Sequence, residues 1–355
     1  MGRKVLVTGG AGFVGGNLAV TLAARHPDWE LVAFDNLSRR GSELNLPRLE
    51  EAGVAFVQGD VRVLSELLRL EPIDALVECS AEPSALAGVD GDTSYVVETN
   101  LVGAYNCLEL ARRDHAQLVF LSTSRVYPYD TLDSAGFSEA ETRFELVPDQ
   151  DLPGISADGV SESFPLDGPR TLYGATKLAG ELLITEYRSM FGIRTVIDRC
   201  GVIAGPWQMG KVDQGVFTYW LLRHYFGGDL RYIGYGGAGK QVRDLLHVDD
   251  LADLIEDQLL RPEHWDGATA NVGGGFDSSL SLLETTELCA ELTGNRIAVQ
   301  PSDETRPGDV RIYLSDCTRL GGLTDWRPRR GPRQVLEDTL AWVADNERTV
   351  QATLA

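Results

Sequence analysis

The sequence predicts an α/β protein: a doubly wound parallel sheet, with a smaller C-terminal α/β lobe that takes the substrate. Three observations carry this. Through the first 200 residues, short apolar runs alternate with longer amphipathic stretches, the pattern of strands covered on both faces by helices. Glycines 9, 12 and 15 mark the junction between the first apolar run and the first helix. After Arg199 the rhythm turns irregular and glycine-rich, which marks the second lobe.

Six strands buried on both faces are expected at Val5-Leu6-Val7, Leu31-Val32-Ala33-Phe34, Ala55-Phe56-Val57, Ala75-Leu76-Val77, Leu118-Val119-Phe120-Leu121 and Thr195-Val196-Ile197. Helical spacing runs from Asn17 to Arg25, Ser94 to Arg113 and Leu172 to Met190. Further helices are predicted near 213–226, 249–260, 281–292 and 332–346. Residues 1–200 therefore read as a dinucleotide-binding domain. Residues 201–345 read mostly as the substrate lobe, with some segments returning to the first domain. Within the first domain, 128–170 holds five prolines and ten acidic residues against two arginines, and reads as an insertion. A connection that long is a lid, a binding segment or disordered, and the plainer alternative is a solvated acidic insertion.

Composition narrows the function. The chain has 355 residues, with 32 Lys+Arg against 53 Asp+Glu, a formal charge of −21. Such a field repels phosphate backbones and anionic lipid, which argues against nucleic-acid and membrane-surface roles. No apolar run reaches the ~20 residues of a membrane span. The N-terminus runs directly into a strand without a signal-peptide pattern, so a cytoplasmic protein is expected. Five cysteines without a CxxC pair suggest neither a disulfide framework nor a metal site.

The segment Thr8-Gly-Gly-Ala-Gly-Phe-Val-Gly15 supplies a tight turn, a backbone bare enough for a pyrophosphate, and a helix N-terminus. Gly9, Gly12, Phe13, Val14 and Gly15 are the predicted phosphate cradle. Asp35 follows 20 residues after Gly15 at the end of the second strand, where a carboxylate accepts ribose hydroxyls and repels a 2′-phosphate. The cofactor expected is NAD, although Arg39 and Arg40 lie close enough in sequence to soften the preference. Asp60-Val61, after the third strand, is placed to reach the adenine end or is a plain turn. The segment Gly234 to Lys240 imitates a triphosphate-binding loop, but Gln241 replaces the hydroxyl residue and a strand follows. It is dismissed.

Tyr173 and Lys177 are four apart on a predicted helix and face the same way. A fixed positive charge favours phenolate, making Tyr173 a base able to take a proton from a sugar hydroxyl. The fifth strand ends in Ser122-Thr123-Ser124-Arg125. Thr123 can hydrogen-bond the reacting oxygen, with Ser122 and Ser124 as competitors. His247 reads as structural. Trp207-Gln208-Met209 and Asp213-Gln214 either contact sugar or base, or pack a loop.

Together these motifs resemble the extended short-chain dehydrogenase/reductase superfamily, over essentially 1–345. Within it, Phe34 to Gly41, Glu139-Ala-Glu-Thr-Arg143, Asp213-Gln-Gly215, Gly239 to His247 and Ser279 to Glu284 are similar to the CDP-paratose 2-epimerases, also called CDP-tyvelose epimerases. The resemblance implies a Rossmann domain, a catalytic trio of Thr123, Tyr173 and Lys177, and further cofactor contacts from Asn36, Arg39, Ala81 and Asn100. It implies diphosphate binding by Arg243 and Arg306, with Arg311 a weaker third. Other substrate contacts would be Ser124, Arg125, Gln208 and Gln214. Related 4,6-dehydratases and UDP-glucuronate decarboxylases carry an acid matching position 125, so Arg125 argues against both chemistries. The wording around Ser124, Pro128, Leu172 and Cys200 departs from the epimerase pattern, which leaves the sugar open.

The implied activity is an NAD-dependent nucleotide-sugar epimerase, favouring C2 of a CDP-linked hexose or deoxyhexose and working as a homodimer. Epimerisation at C4, net oxidoreduction of a nucleotide sugar, and a non-catalytic sensor on the same fold remain as alternatives.

Overall fold

Val5, Leu6 and Val7 are fully buried, as are Ala75, Leu76 and Val77. The two runs lie side by side in parallel in a computed structural model that describes residues 2–89, 91–210, 215–302, 304 and 306–354. They belong to a seven-stranded sheet built from β1 (Lys4–Thr8), β2 (Glu30–Asp35), β3 (Ala55–Gln58), β4 (Ala75–Glu78), β5 (Gln117–Thr123), β6 (Thr195–Cys200) and β7 (Ala268–Val272). The order across the sheet is β3-β2-β1-β4-β5-β6-β7, and the pairs joining β3 through β5 are parallel. The winding reverses between β1 and β4, and the carboxyl ends of strands at such a point flank the crevice used for ligands.

All six predicted strands are present, with two corrections. β3 is not buried on both faces: it is the sheet edge, and Ala55 and Gln58 are exposed. β7 has no predicted counterpart, because Ala-Thr-Ala-Asn-Val mixes small and polar residues where an apolar run was the signal. Helix α1 (Phe13–Arg25) starts four residues before the expected Asn17, taking Gly15 and Gly16 into its buried face. The expected helix over 94–113 is interrupted. A helical turn at Ser94–Val97 passes through a π turn, Glu98–Val102, into α2 (Gly103–Asp114). Helix α3 spans Leu172–Phe191.

The chain divides into two units. The first holds residues up to Thr123, Leu172–Arg199 and Leu251–Thr269. Its core joins Leu6, Phe34 and Leu76 of the sheet to Cys107, Leu108 and Ala111 of α2 and Ile184 of α3. The second holds Ser124–Thr171, Cys200–Asp250 and the chain from Ala270 onward, so 124–171 groups with it rather than with the first. Its core packs Phe217, Trp220, Leu245, Cys289 and Leu336, drawn from strand Val242–His247 and helices Val216–Phe226, Leu282–Thr293 and Pro332–Asp345. A last helix, Glu347–Leu354, lies beyond the predicted elements.

The acidic stretch is ordered structure. A short helix, Tyr129–Asp133, precedes two hairpins, Phe137–Glu139 with Phe144–Leu146 and Ile155–Ser156 with Gly159–Val160. Its anchor is a helix cap. Ser281 and Glu284 form a capping box at the start of the 282–293 helix. The Ser281 hydroxyl donates to Thr142 O, and Arg143 pairs with Glu284 at 3.0 Å. Lys240 donates to Glu139 at 2.8 Å and to Ala140 O at 2.9 Å. Three stretches that carried the resemblance, 139–143, 239–247 and 279–284, are thus physically joined, and the lysine of the false triphosphate loop serves this joint.

Candidate functional site

The glycine turn is built by close approach of backbone to backbone. Gly9 adopts φ +62°, and a Cβ there would lie 2.8 Å from Cys79 O. At Gly15 a Cβ would fall 2.3 Å from Gly9 O, so α1 sits on the turn only because that atom is missing. Gly12 differs. Its φ of −76° suits any residue, and the nearest atom a Cβ would meet is Gly9 O, at 3.0 Å. Gly12 is also the N-cap of α1 and no side chain caps the helix, which leaves its first-turn N–H groups and partial positive charge to an anion. A bare backbone with an uncapped helix above it fits a dinucleotide pyrophosphate.

Asp35 closes β2 beside this turn. Its carboxylate accepts N–H bonds from Leu37 at 2.8 Å and Ala11 at 3.2 Å, and burial raises its pKa against those bonds. Asn36 donates to Asp60 at 3.1 Å. Asp60 is held by Arg62 through both carboxylate oxygens, which pulls its pKa down to about 2. Any adenine contact there is shared with that guanidinium. Val61 is buried, and its carbonyl accepts from Asn106 of α2. Asn100 sits in the π turn, fully buried. It accepts from Glu82 N–H at 2.7 Å and donates to Thr176 of α3 at 3.2 Å, beside Ala81. π turns of this kind recur where a helix must bend to serve a site.

Tyr173 and Lys177 stand one turn apart near the start of α3. Lys177 is 2% exposed, with its ammonium 4.2 Å from the centre of the Phe120 ring on β5. Thr123, buried, ends that strand three residues on. Strand and helix are braced by Ser122, which donates to Glu181 at 2.5 Å, and by Arg199, which grips Glu181 through two nitrogens. Ser122 therefore has a structural partner. Sequence reasoning missed Glu78. It closes β4, is 1% exposed, and accepts the Lys177 ammonium at 3.0 Å. Burial opposes protonation of Lys177, but Glu78 and then Tyr173 together hold its pKa above the ordinary lysine value. The available signal was an acidic residue ending an otherwise wholly apolar central strand.

In the second unit, a cavity with about 410 Å³ of empty space, open to solvent, is lined by Ser124, Arg125, Tyr127, Arg170, Arg243 and Tyr313 among others. Its described lining holds three arginines and no carboxylate, in a chain of charge −21. Arg125 donates to Gly308 O at 2.7 Å. Arg243 reaches Asp309 at 2.7 Å, so its charge is partly balanced from within the chain. Arg306 is half-buried in the loop that leads to Asp309.

Other expected contacts lie elsewhere. Gln208 is not among the cavity residues: it donates to Ile203 O and its amide oxygen accepts the Thr218 hydroxyl, so it packs its own loop. Gln214, with Asp213, lies outside the described residues. Arg311 lies over Phe137 at 4.0 Å and Tyr235 at 5.0 Å and pairs with Asp133, so its guanidinium clamps the acidic hairpin. His247 is buried and accepts the Asp249 N–H at 3.0 Å.

A glycine turn under an uncapped helix, an acid ending the second strand, and a tyrosine–lysine pair at the sheet's carboxyl edge define an NAD-binding enzyme of the α/β class. Comparison with known proteins agrees. The model of the NAD dependent epimerase/dehydratase family matches residues 5–273, and the chain belongs to that family. A CDP-paratose 2-epimerase of Salmonella typhi is 30% identical over 352 residues, covering 96% of this chain and 99% of its own. A dTDP-glucose 4,6-dehydratase of Mycobacterium tuberculosis is 31% identical over 354 residues, 97% of this chain and 94% of the relative. The structure of a Thermus thermophilus UDP-glucose 4-epimerase complex with NAD superposes with a TM-score of 0.76 at 27% identity, covering 96% of this chain and 99% of that one. NAD is the cofactor, and the residues around Gly12 and Asp35 fit it. No helix among the described residues is long and apolar enough to cross a membrane.

Proposed function

We propose that this protein is a nucleotide-sugar 2-epimerase acting on a CDP-linked hexose or deoxyhexose. The observation that carries the proposal is the buried Lys177 ammonium one helical turn from Tyr173, beside the strand that ends in Thr123. NAD, when bound, supplies a two-electron acceptor that is restored within each turnover. Tyr173 takes the proton of the sugar hydroxyl and later returns it, and Lys177 favours the phenolate it passes through. Thr123 hydrogen-bonds the reacting oxygen. Arg243, with Arg125 and Arg306, binds the diphosphate, for which guanidinium forks are suited. A positive side chain at 125 suits epimerisation better than dehydration, since a cation cannot serve where the resembling dehydratases use an acid. The 30% identity to a CDP-paratose 2-epimerase supports the choice of base and carbon.

The test is incubation with CDP-, UDP-, dTDP- and GDP-hexoses under substoichiometric NAD, followed by proton NMR. Inversion at C2 of a CDP-sugar without lasting absorbance at 340 nm is expected. Stoichiometric NADH, or loss of water from the sugar, would overturn the reading. The homodimer belongs to the same proposal. Tyr105 on α2, and Leu182, Met190 and Phe191 on α3, are exposed at 40%, 65%, 68% and 41%, an apolar surface suited to a second copy. A single monomeric mass by light scattering would count against it.

A further inference from the structure

A carboxylate at the heart of a parallel sheet is expensive to bury unless it is paired. Glu78 ends Ala75-Leu-Val-Glu78, a strand whose four residues are all buried. It lies level with Thr8 on β1 and Phe120 on β5, at the carboxyl edge where the cofactor turn begins. Both of its oxygens are held. One accepts the Lys177 ammonium at 3.0 Å and the other the Ser80 hydroxyl at 2.7 Å, while Ser80 reaches Thr8 at 3.2 Å. The carboxylate and the ammonium are 1% and 2% exposed, so water does little to screen them.

This pairing changes what Lys177 does for Tyr173. A lone buried ammonium acts on the phenol as a full charge, whereas an ammonium bound to a carboxylate acts as a dipole whose field falls faster with distance. We infer that Glu78 is a positioning and charge-balancing residue: it fixes the ammonium of Lys177 and offsets its field, so that Tyr173 keeps its proton until the oxidised cofactor brings another positive charge. The phenolate would then form only in the loaded site. This rests on Tyr173 being the base.

The neighbouring titratable groups do not replace Glu78 in this role. Cys79, which follows it, and Cys107 of α2 are both pushed up by burial and stay thiols through neutral pH. Glu181, one turn beyond Lys177 on α3, is neutralised by Arg199. Glu82 accepts the Ser84 N–H.

The test uses the full-length protein labelled with [13Cζ]tyrosine, titrated by NMR with and without NAD, with Y173F identifying the resonance. E78Q, which keeps shape and loses charge, should lower the Tyr173 midpoint by about one pH unit without NAD. S80A, which loosens the carboxylate and keeps its charge, should leave the midpoint in place. Should E78Q not fold, the native protein still decides: its Tyr173 midpoint should fall when NAD is added, and equal midpoints with and without NAD contradict the inference. Equal midpoints in native protein and E78Q would make Glu78 merely structural. An active Y173F would instead remove the assignment of the base, so the two failures are separable.

Discussion

Alanine at Gly12 and at Gly15 should fail in opposite ways, because the two glycines are required for different reasons. At Gly15 the new methyl would lie 2.3 Å from Gly9 O, 2.8 Å from Gly9 C and 3.0 Å from Gly10 Cα. All three are backbone atoms, so no side-chain rotation relieves the overlap and α1 must move off the turn. Overpacking of this kind costs about 1–3 kcal/mol. At Gly12 the same methyl meets one atom at 3.0 Å and the backbone is extended, so G12A should cost within about 1 kcal/mol of stability. Its methyl projects from the bare face of the turn, where the pyrophosphate must approach. Urea unfolding and NAD titration by tryptophan fluorescence separate the effects. G15A should be clearly destabilised. G12A should unfold nearly as the native protein does yet bind NAD at least about tenfold more weakly, a loss of about 1.4 kcal/mol. Native-like NAD affinity in G12A, or native-like stability in G15A, would refute the assignment of the turn.

Y173F removes one oxygen from a half-buried side chain and should leave thermal stability unchanged, while kcat on the true substrate falls about 10²- to 10⁴-fold. R199M strips the buried partner from Glu181, which also accepts from Ser122. Breaking such a pair should cost about 3–5 kcal/mol in urea unfolding. Asp198, fully buried and bound to Gln258, has its pKa pushed up to about 7 by burial. The folded state then binds more protons than the unfolded state between about pH 4 and 7, so stability falls as pH rises through that window. D198N should flatten this fall, and an unchanged slope in denaturation series at pH 5 and 8 would show that Asp198 does not cause it.

The cofactor turn was legible because its physics is local: glycine spacing, the strand before it and the acid 20 residues later are all read from consecutive residues. The same holds for the tyrosine–lysine pair, which one helical turn brings to the same face. Glu78 was not legible as a site residue, because an acid after three apolar residues reads as a strand's polar end. Its meaning comes from Lys177, 99 positions away. Arg243 likewise looks like a free phosphate ligand until Asp309 is found beside it, 66 positions on. The π turn that places Asn100 leaves no mark on helical periodicity. Gln208 stood open between a sugar contact and a packed loop, because an amide there suits either, and only the fold shows both its ends bonded within its own unit.

In the function proposed, one tyrosine–lysine pair inverts a carbon of a nucleotide sugar with no lasting change in the cofactor. This is tested most directly by running the reaction in D₂O with the active CDP-sugar and examining the product by NMR and mass. The inverted carbon should carry the C–H hydrogen of the substrate, with no deuterium and no dependence on added NAD beyond catalytic amounts. Deuterium at that carbon would mean that the proton on carbon passes through solvent, and the assignment of Tyr173, Lys177 and the NAD site to a single internal transfer would be wrong.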